Sequence, residues 1–298
     1  MLTIRLGVPK ASGDLLLAAQ KLRAPLLLSA GAFWDKRAGQ LKHPHSGVFD
    51  GPDDGYADVA LDSAGFVAWR HHGGYPWPLG EYVEIGTSYP WAWWAAPDAC
   101  CEPEIAADRE QVDYRIRWTA GALKGVLRAV DQHREASIAC RAMFGLDATP
   151  DYKITDPMPV LQGWEPRDYY RSAEWTETVL HEAGRHWPAL VGVGSVCRRQ
   201  VHGPAGLLAV LDMLDAVLPP HVRLHMFGVK SSAIPLLRKF GDRVASVDSQ
   251  AWDMAARKEA HQRGVSCTNT HRIGHMTAWW TRQQAHKHAP VQLDLWSR

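Results

Sequence analysis

Short apolar runs recur along the chain and alternate with longer segments of amphipathic character. Each run holds four to six mostly apolar residues, without the strict alternation of a strand that has one face in water. The runs lie at residues 26–30, 58–61, 91–96, 158–161, 190–194, 222–227 and 244–247. Continuous apolar runs of this length are typical of parallel strands that are covered on both faces.

Between these runs, apolar residues recur at the spacing of amphipathic helices. The predicted helical segments are 104–133, 167–186, 204–218, 231–240 and 251–263. Repeated strand-then-helix units predict an α/β fold. At about 300 residues, a single-domain TIM (β/α)8 barrel over residues 1–298 is favoured over a doubly wound sheet. We expect the last strand near 264–268 and loop insertions at 36–56 and 71–80, over the C-terminal mouth of the barrel.

Polar residues interrupt the apolar pattern at the points where the predicted strands end. These residues are Asp62, Asp98, Gln162-Gly163, Gly194, Gly228 and Asp248. In a barrel, the carboxyl ends of the strands meet at one mouth, where barrel enzymes place their active sites. Three carboxylates and an amide at that mouth favour acid–base or covalent chemistry on a polar planar ligand. The alternative is that each Asp caps the helix that follows it.

Composition narrows the class of protein. The chain has 33 Lys and Arg against 32 Asp and Glu, a formal net charge of +1, which excludes a strongly basic nucleic-acid tail. Its 14 Trp predict large apolar pockets or stacking surfaces. No apolar run reaches the roughly 20 residues of a membrane helix, and the N-terminus lacks the pattern of a signal peptide. Five cysteines are too few for a disulfide framework, so we expect a cytoplasmic protein.

Several segments resemble, in order, motifs of the tRNA-guanine transglycosylases. Residues 62–66 (Asp-Ser-Ala-Gly-Phe) resemble the family's Asp-Ser-Gly-Gly-Phe/Tyr motif, and residues 160–163 (Val-Leu-Gln-Gly) resemble its Val-Gln-Gly segment. Residues 191–194 (Val-Gly-Val-Gly) resemble its Gly-Gly strand end, and residues 225–229 (His-Met-Phe-Gly-Val) resemble its Leu-Met-Gly-Val segment. Residues 247–249 (Val-Asp-Ser) resemble its Phe-Asp segment. The ordered set spans most of the chain. It is more specific than any single motif.

The resemblance implies a role for two carboxylates in the reaction. Asp248 would attack C1′ of the nucleoside, expel guanine and form a covalent glycosyl-enzyme ester. Asp62 would act as general acid and base for the departing and incoming bases. The chemistry is reasonable in itself, because a carboxylate is a suitable nucleophile towards an oxocarbenium-like centre and two displacements retain configuration.

The resemblance also implies a base-binding set. Asp98 would bind the exocyclic amine and ring N–H of the base, while Gln162 and the amide of Gly194 would hold its carbonyl oxygen. Phe66 and Phe227 match the positions that sandwich the purine. The remaining residues that match the motifs are Ser63, Gly163, Gly192 and Gly228.

The departures from the family favour its DNA-acting branch over its tRNA-acting members. The chain lacks the Cys-x-Cys-x-x-Cys…His zinc motif, reads Ser-Val-Cys-Arg-Arg at 195–199 in place of Val-Gly-Glu, and lacks Pro-Thr-Arg after the nucleophile. It is therefore similar to the phage and bacterial 7-deazaguanine DNA transglycosylases. These replace guanine in DNA with 7-cyano-7-deazaguanine (preQ0) or a relative. The target nucleotide must be flipped out of its stack. We expect the Trp-containing loop at 71–77 to supply walls on which the flipped base stacks.

The expected partners are DNA and a 7-deazaguanine base, with tRNA as the alternative polymer. Phosphate contacts are expected from the seven Lys and Arg beyond Met254 and from four arginines near the mouth. These four are Arg167, Arg171, Arg198 and Arg199.

Two alternative interpretations assign the chain to other classes of protein. His43 and His45 match the His-x-His of metal-dependent barrel hydrolases, and a catalytically inert nucleic-acid-binding barrel is the other alternative. Cys267, His271 and His275, spaced four apart, could bind Zn²⁺ if they share a helix face. The favoured reading needs no cofactor.

Overall fold

A computed structural model of the chain describes residues 2–51, 57–145, 154–197 and 199–288. The strands are Thr3–Val8 (β1), Leu26–Ser29 (β2), Trp34–Asp35 (β3), Gln40–Leu41 (β4), Val59–Asp62 (β5), Val160–Leu161 (β6), Leu190–Val193 (β7), Arg223–Met226 (β8) and Val244–Ser249 (β9). Seven of them form one sheet in the order β5-β2-β1-β9-β8-β7-β6, with every neighbouring pair parallel. The other two, β3 and β4, pair antiparallel.

Helices follow the strands of the sheet. They are Asp14–Lys21 (α1), Gly65–His72 (α2), Leu79–Ser88 (α3), Pro103–Ala106 (α4), Arg109–Met143 (α5), Pro166–Glu182 (α6), Leu207–Val217 (α7), Ile234–Leu237 (α8), Ala251–Gln262 (α9) and Asn269–His288 (α10). A parallel sheet with helices between its strands confirms the predicted α/β class. No described helix has a stretch long and apolar enough to span a bilayer.

Residues 92–96 connect the two edge strands of the sheet through backbone hydrogen bonds. Leu61 of β5 pairs in parallel with Trp94, and Ala95 pairs in parallel with Met158, two residues before β6. The Ala95 N–H donates to the Leu61 carbonyl at 2.9 Å, and the Met158 N–H donates to the Trp94 carbonyl at 2.7 Å. The run predicted at 91–96 therefore lies between the edges of the sheet.

The prediction of a last strand near 264–268 is wrong, and β1 was not predicted. Residues 265–268 form no strand, and Val265 is 50% exposed. The N-terminal segment instead pairs with both β2 and β9. Its apolar pattern is broken by Arg5, whose buried guanidinium donates to Asp58 Oδ1 at 2.8 Å and to the Leu26 carbonyl at 3.2 Å.

Several helices differ from the predicted segments. The segment predicted at 104–133 is two helices, α4 and α5, and the segment at 231–240 is mostly 3-10 helix around α8. We did not predict α10, because the Thr-Asn-Thr at its start has poor helix propensity. There the Thr268 hydroxyl accepts a hydrogen bond from the His271 N–H at 3.2 Å, as a helix cap does.

Several tryptophans lie in the core, including the one in the loop predicted to supply stacking walls. Trp94 and Trp252 are buried, and the Trp252 indole N–H donates to the Gly7 carbonyl at 3.1 Å. In the loop at 71–77, Trp77 is also buried and packs on Tyr75 and Trp34. The indoles therefore hold helices and loops against the sheet.

The contact between α3 and Trp94 gives a test of this packing. A Cβ added at Gly86 of α3 would lie 2.5 Å from the Trp94 ring, so Gly86→Ala should lower the free energy of unfolding by about 1–3 kcal/mol, the usual cost of overpacking. Gly121→Ala is the matched control, because this helical glycine of α5 has nothing within 4 Å and should gain up to about 1 kcal/mol. Urea denaturation measures both. Equal effects of the two substitutions would contradict the packing described here.

Candidate active site

A cavity of about 190 Å³ opens where the strands of the sheet end. The residues that line it are Leu27, Asp62, Gly65, Phe66, Asp98, Cys100, Glu102, Gln162, Gly194, Ser195, Cys197, Phe227, Gly228 and Asp248. The three predicted carboxylates and the predicted amide thus surround one cavity. They come from segments spread over nearly 190 residues, so only the parallel arrangement of strand ends brings them together.

Asp98 lies at the centre of a hydrogen-bond network and is only 7% exposed. The Ser63 hydroxyl donates to its Oδ1 at 2.7 Å, and the Gln162 amide donates to its Oδ2. Its backbone N–H donates to the Tyr75 hydroxyl at 2.9 Å, and that hydroxyl also lies 2.8 Å from Ser63 Oγ. Burial raises the pKa of Asp98, while the bonds from Ser63, Gln162 and Tyr75 oppose the increase.

The orientation of the Gln162 amide is set by two neighbours. Its Oε1 accepts a hydrogen bond from the Ser195 hydroxyl at 2.6 Å, and that hydroxyl accepts one from the Cys101 N–H at 2.7 Å. Its Nε2 faces Asp98, which can only accept as a carboxylate. One Nε2–H of Gln162 donates to Asp98, and the amide carries a second Nε2–H.

Asp248 is the penultimate residue of the central strand β9 and is 9% exposed. Its Oδ1 accepts a hydrogen bond from the Gly228 N–H at 2.8 Å and lies 3.4 Å from Nε2 of the buried His225. On the other side of the ring, His225 Nδ1 lies 2.8 Å from Ser246 Oγ. Burial lowers the pKa of His225, although the neighbouring Asp248 opposes this, so the ring is neutral at pH 7 and can donate to only one partner.

Asp62 ends the edge strand β5 in register with Ser29 of β2. Burial raises its pKa to about 7, and the charges of Asp98 and Asp248 add to the effect. Its Oδ2 accepts a hydrogen bond from the Ala64 N–H at 3.2 Å. That residue has a left-handed backbone (φ 69°), a conformation that favours the glycine found there in the related motif.

Two phenylalanines supply the aromatic walls of the cavity. Phe66, in the first turn of α2, is 36% exposed. Phe227 follows β8 and packs edge-on against Trp93 and His225. A Cβ at Gly192 would lie 2.6 Å from the Phe227 ring, so this glycine makes room for the ring.

Three predicted site residues lie behind the cavity rather than on its wall. Ser63 supports Asp98, Gly192 supports Phe227, and Gly163 packs so closely on α6 that its Cβ would lie 2.6 Å from Cβ of Asp168. The predicted role of the Gly194 amide is also wrong, because that N–H donates to the Leu161 carbonyl at 2.9 Å within the sheet. Gly194 instead leaves space, since a Cβ there would collide with the Gln162 side chain.

The sequence did not predict six residues of the cavity wall. Leu27 lies on β2 and Gly65 begins α2, and the other four lie on loops: Cys100, Glu102, Ser195 and Cys197. Cys197 Sγ lies 3.4 Å from Glu102 Oε1, and burial raises the pKa of Cys100 to about 12, which makes it a poor nucleophile. One sequence signal could have found the four loop residues, namely their closeness to predicted site residues. Cys100 and Glu102 follow Asp98 closely, and Ser195 and Cys197 follow Gly194 closely.

Three of the four arginines expected to contact phosphate near the mouth bond to other groups of the protein. Arg199 is 2% exposed, stacks on Trp164 at 4.2 Å and donates to the carbonyls of Ser195 and Gly163. The guanidinium therefore fixes the loops that follow β6 and β7. Arg171 pairs with Asp113 at 2.6 Å, and Arg167 pairs with Glu165 at 2.8 Å. Arg198 and residues 289–298 lie outside the described residues.

His43 and His45 do not form the predicted hydrolase site. His43 Nδ1 bonds with the Tyr89 hydroxyl at 3.1 Å, and His45 Nε2 bonds with the Ala11 carbonyl at 3.0 Å. Among the described residues, the group with the geometry of a metal site is Glu259, His271 and His275, which includes neither of them. Neither histidine lines the cavity that holds the three carboxylates.

Comparison with known proteins identifies the family. No curated protein matches the chain. A solved structure, the YdjI aldolase from Escherichia coli K12, aligns over 96% of this chain and 89% of the aldolase chain, with 10% sequence identity. The TM-score of 0.31 is too low for this similarity to support a conclusion. The model of the family DpdA, DeoxyPurine in DNA protein A, matches residues 51–297, a range that contains all the predicted site residues. The chain therefore belongs to the DpdA family of DNA 7-deazaguanine transglycosylases, which confirms the resemblance inferred from its motifs.

Proposed function

We propose that this protein replaces guanine in DNA with a 7-deazaguanine, such as 7-cyano-7-deazaguanine, through a covalent Asp248–deoxyribosyl intermediate. Family membership supports a DNA guanine-modifying transglycosylase in general. The residues, the intermediate and the incoming base are the finer part of the proposal. They rest on the geometry of the cavity.

We also propose that the sheet is a closed (β/α)8 barrel with residues 92–96 as its eighth strand. The hydrogen bonds of Leu61 and Met158 to this segment support closure, because they join the two edge strands. A closed barrel would place the carboxyl ends of all eight strands around one mouth. Asp98, two residues after the segment, would then take its place at the mouth as the other strand-end residues do.

In the first half-reaction, an Asp248 oxygen attacks C1′ and forms an ester as the C1′–N9 bond of the target nucleoside breaks. The Gly228 N–H holds the carboxylate in place, and the ring of His225 lies beside it. The electron pair of the broken bond stays on guanine, and the protonated Asp62 supplies the proton that the departing base needs. Two carboxyl groups thus have separate roles because their surroundings differ.

In the second half-reaction, the incoming 7-deazaguanine occupies the place that guanine left. Asp62, now ionised, accepts the N9 proton, N9 attacks C1′, and the ester bond breaks to restore the Asp248 carboxylate. One glycosidic bond is lost and one is formed, so the exchange needs no external energy source. Two displacements at C1′ retain its configuration.

Recognition of the base follows from the donors and acceptors around the cavity. Asp98 offers acceptors for the exocyclic amine and ring N–H of a guanine-like edge, and the second Nε2–H of Gln162 suits its carbonyl oxygen. Phe66 and Phe227 provide faces on which the ring can stack. Because C1′ is inaccessible in a duplex, the nucleotide must be flipped into this cavity.

The observation that carries the proposal is the convergence of Asp62, Asp98 and Asp248 on one cavity with Gln162 between them. The test is uptake of radiolabelled guanine, then of 7-cyano-7-deazaguanine, into purified DNA and tRNA in parallel. Label that enters DNA with the wild-type protein supports the proposal. Label that enters only tRNA would support the tRNA-acting alternative, and binding to DNA without any exchange would support the inert binder.

The raised pKa of Asp62 predicts the pH dependence of the reaction. The group must be protonated to assist departure of guanine, so kcat/KM should be level below about pH 7 and fall about tenfold per pH unit above it. The profile should be measured from about pH 6 to about pH 9 at constant ionic strength. Asp62→Asn should be slower and should lack the descending limb. A wild-type rate that rises through pH 7 would contradict the role of Asp62 as the acid.

A further inference from the structure

Three side chains with metal-ligand chemistry meet where α9 packs on α10, apart from the residues that line the cavity. Glu259 belongs to α9, and His271 and His275 belong to α10. Each offers one ligand atom, and these atoms lie within 4.8 Å of one another. The histidines are four residues apart on one helix face, with ring centroids 4.7 Å apart. All three residues are half-buried, so solvent can reach them.

The hydrogen bonds of His271 match those of a histidine prepared for a metal. Its Nε2 lies 3.1 Å from the Ala256 carbonyl, one turn before Glu259. A carbonyl only accepts, so Nε2 carries a proton, and Nδ1 is the ring nitrogen left to bind a metal. Ligating histidines usually donate their other N–H to a carbonyl or carboxylate in this way, which fixes the tautomer and the orientation of the ring.

Glu259 supplies the negative charge. Like an ordinary glutamate, the side chain is a carboxylate at neutral pH. Arg263 binds its Oε1 at 3.0 Å, and His275 Nε2 lies 2.7 Å from its Oε2. A metal ion can therefore take Oε2 in place of the histidine proton while Arg263 remains bound to Oε1.

We propose that Glu259, His271 and His275 form a binding site for a divalent transition metal ion, with Zn²⁺ as the best fit. Two imidazoles and one carboxylate are a common zinc set, with water in the fourth position. The ion would link the C-terminal helix α10 to α9, the helix that directly follows the strand carrying Asp248. The sequence pattern pointed to Cys267 with the two histidines. The structure assigns the third position to Glu259 instead.

The test is calorimetric titration of Zn²⁺ into the chelator-treated full-length chain at pH 7. We expect one site per chain, and at least about a tenfold loss of affinity in the double variant His271→Ala/His275→Ala. His261→Ala is the matched control, because His261 lies on α9, is exposed and is not part of the cluster, and it should keep wild-type affinity. Zinc affinity that is unchanged in the double variant, or no binding by the wild type, would overturn the proposal.

Two further measurements can test the proposal even if the double variant folds poorly. Glu259→Gln removes the ligand charge with little change of shape and should also weaken binding about tenfold or more. Substituted Co²⁺ should show the visible bands of a tetrahedral site without thiolate-to-metal charge transfer. A charge-transfer band would instead place Cys267 in the first coordination sphere and refute the assignment to Glu259. None of these readouts depends on base exchange.

Discussion

Asp248→Asn is expected to reduce base exchange in DNA by about 10⁴- to 10⁶-fold, the loss typical when an enzyme's nucleophile is removed. An amide oxygen is a far weaker nucleophile than a carboxylate, so the ester cannot form at a useful rate. Folding should be preserved, because asparagine has almost the same shape and its Oδ1 can still accept the hydrogen bond from the Gly228 N–H. The measurements are the rate of label uptake into DNA and the thermal unfolding midpoint.

The matched control is Asp242→Asn. Asp242 carries the same charge, but its side chain is 73% exposed and does not line the cavity. It should leave the exchange rate unchanged. In the wild type, a denaturing gel should also show DNA covalently attached to the protein when incoming base is withheld, and Asp248→Asn should lack this species. Exchange by Asp248→Asn within tenfold of the wild-type rate would falsify the nucleophile assignment.

Asp98→Asn is the second large effect, and it should act on the choice of base. The carboxylate offers acceptors to two donors of guanine, whereas an amide places its own NH₂ against one of them. Sites built to bond a polar edge lose about 10⁴–10⁵-fold when that match is removed, so we expect a loss of this order in kcat/KM for guanine. The unfolding midpoint should fall only modestly, because one oxygen remains to accept a bond from Ser63 or Gln162 while the new NH₂ faces the other donor.

Hypoxanthine, which lacks the exocyclic amine, distinguishes recognition from general damage. The wild-type protein should strongly prefer guanine over hypoxanthine in label uptake, and Asp98→Asn should reduce that preference to near unity. A variant that is slow with both bases but keeps the wild-type preference would show that Asp98 is structural rather than base-reading.

The positions of most strands along the chain could be predicted from the sequence because buried parallel strands are apolar throughout. The strands that were missed or misplaced have physical explanations. In β1, Arg5 is buried by pairing with Asp58, which lies 53 residues away, and no local pattern reveals such a partner. The start of α10 depends on one hydroxyl cap and on packing against α9, both of which outweigh the weak propensity of its first residues.

The residues of the candidate site that lie at strand ends could be predicted from the sequence. Those that lie on loops could not. Asp62, Asp98, Gln162 and Asp248 line the cavity as predicted, since the end of a parallel strand has a fixed place. Ser195 could not be placed, because its left-handed backbone (φ 55°) redirects the chain after β7. Arg199 has the sequence context of a surface cation, yet it is buried against the backbone carbonyls of two loops. Only the three-dimensional arrangement of these loops can show this burial.

The chain of hydrogen bonds from Cys101 through Ser195 and Gln162 to Asp98 has a consequence for how this protein can evolve. Each member orients the next, so a substitution at one leaves a buried donor or acceptor of another unmatched. Members of such a network are coupled by about 0.5–3 kcal/mol, and their effects do not add. A lineage that changes its preferred base must therefore replace at least two members together, or pass through an intermediate that is fit for neither base. Epistasis of this kind favours long retention of one base preference, even while loops and surface diverge.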